Sequence, residues 1–280
     1  MGVKLHHVTA VMIRTILFPV DFSPPSAAMA AYVRRAAEMF GSSVTLVHVC
    51  DLMSNNGFEL VARNIWEIAE DHKTVAGARL KSFLDSDFPP ATCSRILRSG
   101  ETAAEIAEVA KTGAFDLIVM PTHAGRFRRM LLGSTTAKVL NDADCPVMTT
   151  QHADALVPRP LEHRVWLCAI GLSQDSERVL RLASRAAATV GASLSIIHAT
   201  HRGAESDARR RLQGLLKTVG CDAQLRVITG PVRQALLGEA RRSGADALIV
   251  GRRPRIGPLG RIRDLTYSLV RDSPAPVLSV

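Results

Sequence analysis

Two arginine-rich stretches carry the side chains of this chain that are best suited to bind an anion. Guanidinium groups hold phosphate through paired hydrogen bonds, so these arginines could take the place of a phosphate-binding loop. The alternative is a solvated loop in which arginine serves solubility or a domain interface. The residues are Arg126, Arg128 and Arg129 in the first stretch, and Arg252, Arg253, Arg255, Arg261 and Arg263 in the second.

His123, just before the first arginine stretch, could donate a hydrogen bond to a ligand. Nothing near it in the sequence completes a Ser-His-Asp set or a metal site. The chain also lacks a nucleophile elbow, a Walker lysine and a zinc signature. We therefore predict no catalytic residue and no metal ligand, and we expect no ATP hydrolysis. His48 and His198 lie within apolar runs and are predicted to be buried structural residues.

The net charge of +9 raises the question of a polyanionic partner. Aromatic residues make up only 4% of the chain and no recognised nucleic-acid module is present, which argues against RNA or DNA as the partner.

Five cysteines without CxxC or Cys/His ligand spacing indicate reduced core residues. The apolar N-terminal run is interrupted by Arg14, so we expect no transmembrane or secretory segment and a cytoplasmic protein.

The chain contains an internal duplication. Arg14–Ser23 returns 150 residues later as Arg164–Ser173, and from residue 100 onward the offset between the copies becomes 130 residues. Between the copies, Pro158 and Pro160 break any helix. Units of this length are domains rather than solenoid repeats. We predict a first domain at 1–150, a linker at 151–162 and a second domain at 163–280.

Within each copy, short apolar runs alternate with longer segments of helical period. Uniformly apolar runs suit strands buried on both faces, and strand–helix alternation indicates right-handed βαβ units. Each half is therefore predicted to be an α/β domain with an open, doubly wound, parallel five-stranded sheet of Rossmann-like type. The predicted strands are Ile13–Val20, Ser43–Val49, Thr92–Leu97, Phe115–Met120 and Pro146–Thr150, then Arg164–Ile170, Ser193–His198, Gln224–Thr229, Ala247–Val250 and Pro276–Val280. The predicted helices include Pro24–Phe40, roughly Phe58–Phe88, Glu101–Thr112, Ser134–Asn141 and Ser206–Val219.

The ligand site of such a sheet is predicted by its topology. Ligands bind outside the carboxyl ends of the strands, where the strand order reverses. The segments that follow the first, second and fourth strands are Val20–Ser23, Val49–Leu52 and Pro121–Ser134. We therefore expect the site among them. Asp21 has an alternative role as a helix-capping or turn residue, because it precedes Ser23 and two prolines.

The sequence resembles the universal stress protein family over both halves. The motifs that carry the resemblance are Pro19-Val20-Asp21-Phe22-Ser23, Leu46-Val47-His48-Val49, the strand Asp116 to Met120 followed by Pro121-Thr122-His123, then Leu131-Leu132-Gly133-Ser134, and Asp144-Cys145-Pro146-Val147. The resemblance implies two tandem domains of the adenine nucleotide alpha hydrolase-like fold that pair through their fifth strands as an intramolecular pseudo-dimer. It also implies homodimerisation and unidentified protein partners as further expectations.

The resemblance implies a site in the first half for ATP or another adenine nucleotide, with Mg²⁺ where the nucleotide carries it. Family members that bind ATP have G-x2-G-x9-G-[S/T] after the fourth strand. Here Pro121 and Ala124 replace two of the glycines, Pro121 has no N–H to donate, and Gly133-Ser134 remains. The Asp21 carboxylate is expected near adenine. The implied residues are Pro19, Val20, Asp21, Val49, Thr122, His123, Ala124, Gly133, Ser134 and Thr135.

The second copy departs further from the family pattern. Gly171 stands at the position of Asp21, and Arg263-Asp264 at that of Gly133-Ser134. An aspartate at a helix start repels phosphate, so we predict that the second site is largely lost. The leading hypothesis is a non-catalytic tandem universal stress protein that acts through nucleotide occupancy or protein interaction. The competing hypothesis is a nucleotide-independent structural or interaction protein with vestigial sites.

Overall fold

The computed structural model describes residues 13–51, 65–122, 132–150, 162–252 and 265–280. Part of the sequence-based site lies outside these ranges, as does the linker at 151–161. The residues concerned are His123, Ala124, Arg126, Arg128, Arg129, Arg253, Arg255, Arg261, Arg263 and Asp264.

The first half alternates strands and helices as the apolar periodicity predicts. Its elements are β1 (Thr15–Pro19), α1 (Pro24–Ala28), α2 (Ala30–Phe40), β2 (Ser43–Cys50), α3 (Ile65–Ser82), β3 (Ser94–Ser99), α4 (Thr102–Thr112), β4 (Leu117–Pro121), α5 (Ser134–Asp142) and β5 (Val147–Thr150).

The second half repeats this order. Its elements are β6 (Val165–Ala169), α6 (Ser176–Val190), β7 (Ser193–Thr200), α7 (Glu205–Val219), β8 (Gln224–Thr229), α8 (Val232–Arg242), β9 (Ala247–Val250), α9 (Leu265–Asp272) and β10 (Val277–Ser279).

The ten strands form one continuous sheet in the order β3-β2-β1-β4-β5-β10-β9-β6-β7-β8. Strand pairs within each half are parallel, which confirms the α/β class and the doubly wound topology. The halves meet where β5 pairs with β10 in antiparallel register, Met148 facing Leu278. Each fifth strand thereby covers an edge that the other half would expose.

Two predicted helices differ from the observed ones. The helix predicted at Pro24–Phe40 is divided at Met29, whose N–H is shared between the carbonyls of Pro25 and Ser26. The helix predicted to reach Phe88 ends at Ser82, just before Leu84 adopts a left-handed φ of 58°. The Arg95 guanidinium donates to the carbonyls of Leu80 and Phe83 at this end, so a residue of β3 caps the helix.

The core has two layers, one on each face of the sheet. Neighbours in a strand face opposite sides, so Leu17 and Phe18 are both fully buried but belong to different layers. Phe18 shares its layer with Trp166, and Leu17 shares the other with Leu167. Each layer therefore contains residues of both halves.

Equivalent polar residues hold the strand ends in both copies. Asp116 accepts the N–H groups of Arg14 and Thr15, and Asp246 accepts those of Arg164 and Val165. His48 and His198 are half-buried, and each uses Nδ1 toward a strand carbonyl, 2.8 Å from Val20 and 2.7 Å from Ile170. Because a carbonyl only accepts, Nδ1 carries the proton in both rings. The structural role predicted for the two histidines is confirmed, with less burial than expected.

The cysteines behave as core residues. Cys50, Cys93, Cys168 and Cys221 are buried, Cys145 is half-buried, and all five are free thiols. Burial raises the pKa of Cys145 to about 11 and also raises the pKa values of Cys50, Cys93 and Cys168. These four thiols are therefore protonated at neutral pH.

Across the part of the chain that is described, no helix combines the length and the apolar character needed to cross a membrane.

Candidate functional site

A cleft of about 280 Å³ opens at the carboxyl ends of β1, β2 and β4 in the first half. This is the edge of the sheet where ligands are expected. The implied site residues on its wall are Pro19, Val20, Asp21, Val49, Gly133, Ser134 and Thr135. Residues from segments that lie far apart in the sequence are thus brought together around one cavity.

The cleft also contains residues that sequence reasoning missed. Thr102 and Ile106 come from the start of α4, which reaches the cleft over one face of the sheet. Ser26 comes from α1, and His48 and Met120 come from the strands themselves. The sequence feature that could have indicated a role for α4 is Glu101-Thr102, which stands at a helix start directly after the third strand. The third strand was not among the strands expected to border the site.

Asp21 braces the turn between β1 and α1. Its Oδ1 accepts the N–H of Ser23 at 3.0 Å and the Ser23 hydroxyl at 2.5 Å. Ser23, not Asp21, is the N-cap of α1, since its Oγ accepts the N–H of Ser26. Both bonds to Asp21 use Oδ1, so among the described residues Oδ2 has no protein donor. The carboxylate is exposed at the cleft, and the turn role considered from the sequence is confirmed.

Phe22 fixes the backbone beside Asp21. Its φ is 62°, a left-handed conformation that costs energy for a residue with a side chain. Its ring packs 4.2 Å from the His48 ring and 5.1 Å from the Phe83 ring. The Arg79 guanidinium lies 4.6 Å from the Phe22 ring centroid. These contacts hold the turn in place.

The opposite wall of the cleft is the start of α5. Gly133 is the N-cap and has no side chain to satisfy the first turn. The first intrahelical bond runs from the Ala137 N–H to the Gly133 carbonyl. Within the described part of the chain, the N–H groups of Ser134, Thr135 and Thr136 therefore have no partner. Such a helix start attracts an anion through its free donors and its positive dipole end.

The end of β4 anchors this helix start but offers no donor of its own. Thr122 is 2% exposed and directs both its N–H and its hydroxyl to the Thr150 carbonyl, at 3.2 and 3.4 Å. It does not line the cleft, contrary to the implied site. Its carbonyl accepts the N–H of Gly133 at 2.8 Å, and the Thr136 hydroxyl donates to the Pro121 carbonyl at 3.0 Å.

An ion pair joins α4 to α5 near these walls. Glu101 caps α4 by accepting the Ala104 N–H at 2.7 Å, and it also accepts from Lys138 Nζ at 2.7 Å. The hydrogen bond from Lys138 lowers the pKa of Glu101, and the same bond raises the pKa of Lys138. Because both side chains are about half exposed, the pair adds little stability.

The second half replaces three polar residues of this cleft. Gly171 replaces Asp21, Val232 replaces Thr102 and Leu265 replaces Thr135. Arg252, considered above as an anion ligand, is 5% exposed and donates to the carbonyls of Leu140, Ala143 and Cys145 in the first half. A guanidinium that donates to three carbonyls does not fit the anion-binding role.

Among the described residues, no group of three or more His, Cys, Asp and Glu side chains is arranged to hold a metal.

Comparisons with known proteins place this architecture in one family. The model of the universal stress protein family matches residues 12–151. A universal stress protein of Mycobacterium tuberculosis is 25% identical over 275 residues, which cover 88% of this chain and 89% of that protein. One of Methanocaldococcus jannaschii is 31% identical over 142 residues, which cover 49% of this chain and 82% of that protein.

A solved structure gives the same picture of the fold. The crystal structure of a universal stress protein from Archaeoglobus fulgidus has a TM-score of 0.73 and 21% sequence identity to this chain, covering 95% of it and 97% of the other chain. Similarity of both halves to family members agrees with the tandem organisation seen in the sheet. The chain therefore belongs to the universal stress protein family.

Proposed function

We propose that this chain acts in the stress response by binding an adenine nucleotide in the first-half cleft without turning it over. Occupancy of the cleft would alter how the protein engages partners in the cytoplasm, including a second copy of itself. One observation carries the proposal: a single cavity is lined by Asp21 and by the start of α5, where the N–H groups of Ser134 to Thr136 have no partner among the described residues.

The Asp21 end suits a purine base. Pro19, Val49 and Ile106 supply apolar surface for a flat ring. Oδ2 of Asp21, which accepts no hydrogen bond from the described residues, can accept one from an exocyclic amine. A hydrogen bond to a charged acceptor contributes about 1.5–3 kcal/mol. Guanine presents a carbonyl where adenine presents this amine, so the carboxylate favours adenine at this position.

The α5 end suits a phosphate. The N–H groups of Ser134 to Thr136 and the dipole of α5 favour negative charge, and the N-cap Gly133, which lines the cleft, adds no side chain. The residues at the two ends of the cleft therefore fit the base and the phosphate of a nucleotide. Mg²⁺ would enter with the phosphates and offset their charge.

Calorimetric titration with ATP and with AMP tests the proposal. We expect Asp21→Asn to weaken binding about tenfold or more, because the amide keeps an acceptor for Ser23 but puts a donor or a neutral oxygen against the amine. Gly133→Val should also weaken binding, because Gly133 lines the cleft and valine adds a branched side chain to that wall. Gly171→Ala is the matched control in the second half, where an added Cβ has open space around it.

Two results would contradict nucleotide binding in this cleft. The first is the absence of heat with either nucleotide at millimolar concentration. The second is wild-type affinity in both Asp21→Asn and Gly133→Val. Release of phosphate from ATP that is abolished by Gly133→Val would instead contradict the non-catalytic part of the proposal.

A nucleotide-independent interaction protein is the second candidate. Pro121 has no N–H and the Thr122 N–H is bonded to Thr150, so the end of β4 provides no phosphate cradle. If this candidate holds, protein purified without added nucleotide should contain none by mass spectrometry or absorbance. Partner capture should then be the same for wild type and Asp21→Asn.

A further inference from the structure

Arg252 joins the second half to α5 of the first half. It occupies the position equivalent to Thr122 under the 130-residue offset, and its backbone repeats the bond made there: the Arg252 N–H donates to the Val280 carbonyl as the Thr122 N–H does to Thr150. The side chains then diverge. Arg252 crosses to the first half and caps the C-terminal end of α5 through the carbonyls of Leu140 at 2.8 Å and Ala143 at 3.0 Å.

A second contact reaches the other end of the same helix. Tyr267, in the first turn of α9, donates its hydroxyl to the Leu132 carbonyl at 3.4 Å. Leu132 is buried and directly precedes Gly133, the N-cap of α5. The second half therefore contacts α5 at both ends, and α5 is the helix whose start lines the cleft.

The arrangement is one-way. The Thr122 hydroxyl is bonded to Thr150 within its own half, so the position of the first half that is equivalent to Arg252 makes no such contact with the second half. The second half lacks the cleft residues Asp21 and Thr102, and it has gained a side chain that holds the helix of the other half. The two copies have thus specialised in opposite directions.

We propose that Arg252 and Tyr267 are positioning residues for the first-half nucleotide site. This inference rests on the proposed function. A nine-residue helix is a rigid rod about 13 Å long, so a restraint at one end sets where the free N–H groups lie at the other. The guanidinium also sits at the negative end of the α5 dipole, where a cation is favourable. A helix start held in place before binding loses less entropy when the phosphate docks.

The experiment compares three full-length variants by nucleotide titration and by thermal unfolding. Arg252→Lys keeps the charge but cannot span three carbonyls, and Tyr267→Phe removes only the hydroxyl. Glu239→Gln is the matched control, because Glu239 is also buried, 6% exposed, and pairs with Arg226 and Arg242 within the second half. Glu239 does not line the cleft.

We expect Arg252→Lys and Glu239→Gln both to lower the unfolding midpoint, because each removes contacts of a buried charged group. At a temperature where all variants are folded, AMP and ATP should bind about tenfold more weakly to Arg252→Lys and about two- to fivefold more weakly to Tyr267→Phe. Glu239→Gln should keep wild-type affinity. A merely structural role for Arg252 moves the midpoint and leaves the affinity alone.

Each outcome decides between the proposals. If wild type binds and both second-half variants bind equally well, the positioning role is wrong and the nucleotide site stands. If Glu239→Gln weakens binding as much as Arg252→Lys, the effect is general destabilisation and the positioning role is also wrong. If wild type binds neither nucleotide, the proposed function fails and takes this inference with it. Should Arg252→Lys not fold, Tyr267→Phe decides alone.

Discussion

His163 shows how a single residue differentiates the two copies. It stands where the first copy has Ile13, and it is 7% exposed at the contact between the halves. The Trp166 indole N–H donates to its Nδ1 at 3.0 Å, and the Tyr32 ring from the first half lies 6.3 Å away. Since Nδ1 accepts, the ring is neutral with its proton on Nε2. Burial lowers the pKa of His163, Arg35 lowers it further, and Asp246 acts in the opposite direction.

This environment predicts a loss of stability in mild acid. The unfolded chain takes up the His163 proton near the ordinary value of about 6.5, whereas the folded protein resists it, so stability falls as the pH drops below that value. Between pH 7 and pH 5, the unfolding midpoint of wild type should fall more than that of His163→Gln. His72→Gln, at an exposed position on α3, should behave as wild type. Equal pH dependence in all three proteins would contradict the role assigned to His163.

At the scale of elements, local sequence patterns predicted the bounds of those strands and helices that end at a signal in their own sequence. β8 and β9 agree with the predicted bounds because Gly230 follows β8 directly and Asp246 and Gly251 border β9. The end of α3 could not be predicted, since Arg95, from a strand that follows in the chain, supplies its cap. Cleft residues at strand ends were predicted because parallel strands converge there, while Thr102 depends on how α4 crosses the sheet.

The packing of α8 against α9 depends on a carboxylate between two guanidiniums. Asp272, the last residue of α9, accepts from Arg271 at 2.9 Å and from Arg233 of α8. Hydrogen bonds from Arg271 and Arg233 lower the pKa of Asp272 to about 2. A carboxylate with a lowered pKa contributes stability above the unfolded value near 3.8, and that contribution disappears as the pH falls toward 2.

Asp272→Asn should therefore destabilise the protein at neutral pH by about 1 kcal/mol, a value reduced for the solvent exposure of Arg233. The difference from wild type should shrink as the pH falls below about 4, because wild type then loses the same charge. Denaturant unfolding at pH 7 and pH 3 measures both values. Glu177→Gln removes a more exposed pair with Arg181 and should cost less than about 0.5 kcal/mol. A constant difference at both pH values would contradict the assignment.

At the scale of the whole molecule, the duplication produces one folded body with unequal halves. The β5–β10 pairing continues the sheet, and both core layers run through both halves. The sequence could reveal the repeat and the loss of Asp21 from the second copy. It could not reveal the task of Arg252, whose carbonyl partners lie 107 to 112 residues away. The fold of the partner half determines what that side chain meets.

A continuous core predicts one cooperative unfolding transition for the described body, in place of two independent domain transitions. Leu278→Ala tests this at the β5–β10 seam, where Leu278 is 1% exposed and faces Met148 of the other half. Removing this buried side chain should cost about 2–5 kcal/mol and lower the midpoint of the whole transition. Val75→Ala, at a side chain that is 67% exposed, is the control and should leave the midpoint nearly unchanged. Calorimetry distinguishes one transition from two. If Leu278→Ala splits the transition and leaves a first-half component at the wild-type midpoint, the two halves fold independently. A core shared between the halves cannot lose a central residue in one half and leave the stability of the other half unchanged.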